Sequence, residues 1–184
     1  FMLVEISTIQ RFILFLGQPV ISIATLLFSL LVGAGIGSLF SNRITAGSLT
    51  RWIVIASVSI VALLFVYIFL IPVILEQLLG LALTIRLLVT VILITPLGFL
   101  MGFPFPLGLR LLKETGMEDY IPWMWGINGI SSVLGSVMTL IIAIKFGFTQ
   151  ALILGAGCYF IVFLLFQMTQ PRRSLSQKRI DSDS

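Results

Sequence analysis

Five stretches of this chain, residues 20–40, 52–74, 87–109, 123–146 and 150–168, are each about twenty mostly apolar residues long. That is the length of helix needed to cross the hydrocarbon core of a bilayer. A sixth stretch, 1–16, is apolar but shorter and carries Glu5, Gln10 and Arg11, so it reads as the second half of a span. The expected fold is all-α: a polytopic transmembrane helix bundle of about six helices, the first truncated, over residues 1–168. Residues 169–184 turn abruptly to Ser, Arg, Lys and Asp and read as a disordered cytoplasmic tail. With Phe1 rather than Met at its start, the sequence is expected to be part of a longer product.

Composition agrees with the spans. Of the 184 residues, 59% are hydrophobic and 10% charged, with mean hydropathy +1.18. Soluble domains carry about 25% charged residues, so this chain has too little polar surface to cover a water-facing globule. A soluble enzyme, a nucleic-acid binder and a disordered protein are all excluded as readings, and nucleic acid is not an expected partner. The sequence contains no His, the commonest general base and metal ligand. Its single Cys158 lies in an apolar run, where a free cysteine behaves as a small packing residue. No metal, no cofactor and no catalytic residue is expected in this chain.

The basic residues are unevenly shared between the two sides of the spans. Arg43, Arg51, Arg110, Lys113, Arg172, Arg173, Lys178 and Arg179 fall on one side, against Arg86 and Lys145 on the other. The positive-inside rule then places the 41–51 loop, the 110–122 loop and the C-terminus in the cytoplasm of a plasma (inner) membrane.

Four features single out candidate site residues. Glu5 is an ionisable group within an apolar segment, which is by default a functional hypothesis, with a structural clamp as the alternative. Glu5 and Arg11 lie about 120° apart on a helix, so each needs a partner from elsewhere, with Arg110 and Asn128 as options. The stretch 96–110 holds Pro96, Pro104 and Pro106 with Gly98, Gly102 and Gly108, and is expected to break or kink its helix, as a binding site or only as a bend. The stretch 122–136 opens with Pro122, Trp123 and Trp125. It then presents Gly126, Asn128, Gly129, Ser131, Ser132, Gly135 and Ser136, too much small and polar surface to face lipid. Asn128 is either interhelical glue or a ligand contact. Gly33 and Gly37 have the small-xxx-small spacing of close helix packing rather than a nucleotide loop, because they close an apolar run and follow no short strand.

Several of these segments together resemble bacterial membrane-embedded spermidine-synthase-like proteins. They are residues 1–6, 9–12 and 14–17; 102–110 with Pro104, Pro106 and Arg110; 125–129 with Trp125 and Asn128; 132–136; and 146–148. The resemblance extends to about residue 168. It implies a membrane region similar to half of a major-facilitator bundle, accompanied by a soluble aminopropyltransferase-like Rossmann domain. That domain's Gly-rich loop and acidic catalytic residues are not in this sequence, so no residue here inherits a catalytic role. Residues 37–43 are similar to a cytoplasmic loop motif of major-facilitator transporters, with Ser41 where that motif carries an acid.

The expected function is anchoring of a polyamine-type synthase domain at the cytoplasmic face. The alternatives are a transporter-like half-bundle for a small cationic or amphiphilic substrate, and a purely structural assembly domain. Expected partners are the lipid bilayer, the remainder of the same protein or further membrane helices, and a polyamine. In the transporter reading Glu5, Arg11, Arg110, Trp125 and Asn128 are the substrate-binding candidates, with Glu76 as a second carboxylate and Tyr120 and Trp123 as nearby aromatics.

Overall fold

The computed structural model describes the backbone of residues 1–180 and the side chains of residues 1–168. The expected polar tail, 169–184, therefore lies outside the residues whose side chains are described. Seven α-helices follow one another: α1 (Met2–Leu16), α2 (Pro19–Ser41), α3 (Leu49–Leu78), α4 (Leu83–Met101), α5 (Pro104–Glu114), α6 (Ile121–Phe146) and α7 (Phe148–Ile180). Short 3₁₀ turns at Ala46–Ser48 and Glu118–Tyr120 complete the described secondary structure, and no strand occurs among the described residues. The architecture is all-α. Five stretches, Pro19–Ser41, Ala46–Leu78, Leu83–Glu114, Glu118–Phe146 and Phe148–Met168, are long and apolar enough to cross a membrane.

Local chemistry sets the turns. Gly17 ends α1 in the left-handed region, with φ +76° and its N–H on the Ile13 carbonyl, as a C-terminal glycine does. Two residues later Pro19 opens α2 at a first-turn position, where its missing N–H costs nothing. Gly147, at φ +89°, makes the equally short passage from α6 to α7.

Two helices cross with almost no side chain between them. A Cβ on Gly33 of α2 would sit 2.5 Å from the Thr95 carbonyl oxygen, and one on Gly98 of α4 would sit 2.5 Å from that of Leu30. Gly37 faces the Phe99 backbone and Gly102 the Ala34 backbone just as closely. Four glycines thus interlock in pairs, an approach that only residues without a Cβ permit. Around this crossing lies a core that includes Leu26, Leu30, Ile60, Leu64, Ile94 and Leu97, all fully buried.

A short helix takes a central position. α1 packs against α2, α4, α6 and α7. Its first turns pass between Gly135 of α6, where an added Cβ would sit 3.3 Å from the Met2 Cβ, and Gly155 of α7, where one would sit 2.9 Å from a Val4 methyl.

The expected break of the 96–110 stretch is present, but not at Pro96, which sits inside a continuous α4. The break comes at Gly102 and Phe103, because Pro104 cannot continue the hydrogen-bond ladder and instead starts α5. The stretch between the 52–74 and 87–109 segments is largely helical. α3 runs through Pro72 to Leu78, leaving only 79–82 as the turn. One sequence expectation changes: the small and polar surface of α6 is not wholly covered, with Gly126, Asn128, Gly129 and Ser131 exposed and Ser132, Gly135 and Ser136 half-buried.

Candidate functional site

Two clefts flank α1, one toward each end of the bundle. The first opens where α4 breaks into α5. It has a volume of about 410 Å³ and is lined by Phe1, Met101, Pro104, Phe105, Asn128, Ser132, Cys158, Tyr159 and Val162. Each wall has a local cause. The Gly102–Pro104 break turns the chain and presents Phe105, which packs edge-on against Trp125 with ring centroids 5.0 Å apart. On α6, Asn128, Ser132, Gly135 and Thr139 follow at four- and three-residue spacing and so share one face. At Gly135 and Thr139 that face is packed against the bundle, while at Asn128 and Ser132 it opens on the cleft.

Much of the polarity in this cleft is already engaged. The Ser132 hydroxyl donates to the Asn128 carbonyl at 2.8 Å, and Ser136 and Thr139 donate likewise to carbonyls four residues back. The Asn128 side-chain amide has no hydrogen-bond partner among the described residues. Its lining carries no acidic side chain and no arginine or lysine. Chemically it suits an apolar or aromatic body with one uncharged polar group.

The remaining candidates are dispersed. Glu5 is buried at 7% exposure, and one carboxyl oxygen, Oε2, has no hydrogen-bond partner; neither Arg110 nor Asn128 pairs with it. Arg110 donates instead to the Ser41 carbonyl and, at 2.8 Å, to that of Ile44, closing off the end of α2. That position is where a helix leaves its last carbonyls unpaired and where a cation is favoured. Arg11 donates to the Tyr67 carbonyl at 3.1 Å and to the Thr149 hydroxyl at 2.8 Å, tying α1 to α3 and α7 at the opposite end. Trp123 and Tyr120 are exposed near the start of α6, the depth at which aromatic belts sit.

Sequence reading passed over three positions that matter. Arg86 donates to the Phe15 carbonyl at 2.7 Å and lies 5.9 Å from that ring's centroid, so it does for α1 what Arg110 does for α2. Its isolation on the sparsely basic side was the available signal. Tyr159 lines the cleft, and Gly155 admits α1, but both lie in an apolar run without visible periodicity.

The second cleft, also about 410 Å³, lies at the other end and is lined by Arg11, Leu14, Phe15, Ile71, Pro72, Leu75, Glu76, Leu79 and Thr149.

The chain matches no family model, no curated protein and no solved structure.

Proposed function

We propose that this chain is the membrane-integral region of a spermidine-synthase-like protein and holds an aminopropyltransferase-like domain at the cytoplasmic face. The positive-inside asymmetry favours the 42–48 end of the bundle as the cytoplasmic one. The observation that carries the anchoring reading is how that end is tied together. Arg110 ties α5 to the terminus of α2, and Leu107 of α5 is fully buried in a cluster with Leu49, Ile53 and Phe103. A platform fixed in this way positions an attached domain better than a hinged one. Reading the whole open reading frame tests it. An in-frame Rossmann domain with a Gly-rich loop and acidic residues supports the anchor, and a frame encoding only further membrane spans overturns it.

A second reading, a transporter-like half-bundle, is favoured by the cleft at the α4–α5 break and by the unpartnered Glu5 oxygen nearby on α1. Broken helices beside cavities are where membrane transporters bind substrate. The uncharged lining favours an amphiphile over a polyamine, whose several charges call for several carboxylates. Uptake of a fluorescent amphiphile into vesicles carrying the full protein, lost on Asn128→Leu, supports this reading. Equal uptake by both proteins overturns it.

A further inference from the structure

The cleft at the 79–82 end differs in kind from the one at the helix break, because it carries two opposite charges that do not meet. Arg11 lines its inner part and Glu76 its exposed part, yet no ion pair joins them among the described residues. Arg11 is half-buried and held only by neutral oxygens, the Tyr67 carbonyl and the Thr149 hydroxyl. A guanidinium has five N–H donors in a planar fork, so these two bonds fix its orientation while leaving donors free toward the cleft. An arginine within an apolar helix is expensive, and clamping two neutral oxygens requires no permanent charge. The fork geometry matches an oxyanion. Pro72, inside α3, removes one ladder bond from the cleft wall one turn before Glu76. Between the charges the walls are apolar, from Leu14, Phe15, Ile71 and Leu75.

We propose that this second cleft binds a zwitterion with an apolar portion, its oxyanion on Arg11, its ammonium toward Glu76 and its apolar part against the walls between them. The volume lies within the range of small-molecule sites. A polyamine is excluded here, since it brings only positive charge to a half-buried arginine. The same chemistry has two sources: a phosphatidylethanolamine headgroup entering from the lipid, and a free apolar amino acid entering from water.

The test uses the full chain in phosphatidylcholine nanodiscs. Doping with phosphatidylethanolamine or phosphatidylglycerol of matched acyl chains varies the ammonium while keeping the phosphate, and native mass spectrometry reads which lipid is retained. The lipid source predicts retention of phosphatidylethanolamine over phosphatidylglycerol by roughly tenfold, about 1.4 kcal/mol. Glu76→Gln removes that preference, and Glu76→Lys reverses it. The free source predicts instead that leucine binds by calorimetry and that binding is lost in Glu76→Gln and in Arg11→Gln. Glu76 is exposed, so its variants keep the test sharp even where Arg11→Gln impairs folding. The proposal is overturned if wild type shows neither lipid preference nor leucine binding, or if both Glu76 variants leave the binding unchanged.

Discussion

Glu5 is a buried carboxyl with an oxygen that no hydrogen bond among the described residues satisfies. Removing a poorly compensated buried ionisable group is often neutral or stabilising, whereas breaking a paired one costs several kcal/mol. Glu5→Gln and Glu5→Leu are therefore expected to hold or raise the unfolding midpoint in detergent, by about 1 kcal/mol for the leucine. A loss of similar size in both variants would show instead that Glu5 has a stabilising partner. Arg110 is the opposite case. Its two bonds to carbonyls at the end of α2 are charge-assisted, and such bonds contribute about 1.5–3 kcal/mol each. Arg110→Ala is expected to lower stability by roughly 2 kcal/mol, with Arg110→Lys recovering only part of it, because an ammonium lacks the fork. Circular dichroism melts of the two variants against wild type measure the difference.

The α2–α4 crossing is the element on which the rest of the bundle is assembled. A methyl group on Gly33 or Gly98 would overlap carbonyl oxygens of the facing helix, and backbone cannot move aside as a flexible side chain can. Gly33→Ala and Gly98→Ala are each expected to cost at least about 2 kcal/mol through separation of the two helices. Gly35→Ala and Gly126→Ala, where nothing lies within 4 Å, are expected to change stability by less than about 0.5 kcal/mol. Equal losses at all four positions would rule out the close crossing as the cause, since alanine's higher helix propensity favours the replacement at every one of them. The small-xxx-small spacing was legible on α2 from residue order alone. Its partner glycines on α4 were also visible, but not which helix faced which, since pairing between helices leaves no trace in either one's periodicity. On α6 the same kind of stripe misled. Gly126 and Gly129 look like packing residues by composition, yet the inward face is set by Gly135 and Thr139 against α1, which leaves Gly126 pointing away.

At the scale of the whole molecule the two ends of the bundle are chemically unlike, and orientation in the membrane is the property that follows. Gly47 and Gly80 lie in turns at opposite ends, each with open space around its Cα. In a Cys158→Ser background, Gly47→Cys is expected to react with an impermeant maleimide only after cells are opened, and Gly80→Cys in intact cells. The reverse pattern would place the basic end outside and remove the basis for the anchoring proposal. One cleft is lined by Phe1, just before α1, and the other by Arg11, Leu14 and Phe15 of α1, with Glu5, Ser7 and Thr8 buried between them.

The run lengths of apolar residues determined that the chain is helical and nearly where its five long apolar stretches turn. This information is local: a twenty-residue apolar segment has one way to satisfy its backbone in hydrocarbon, whatever its neighbours do. Tertiary structure alone decided the partners of the charged groups. Arg110 and Arg86 met helix ends, Arg11 met Tyr67 and Thr149, and one Glu5 oxygen met no hydrogen-bond donor. Those outcomes depend on which helices become neighbours, and with lipid as apolar as the helices themselves, neighbours are chosen by close backbone approach at a few glycines. The clefts are decided the same way, by where α1 fits between Gly135 and Gly155 and where Pro104 turns the chain.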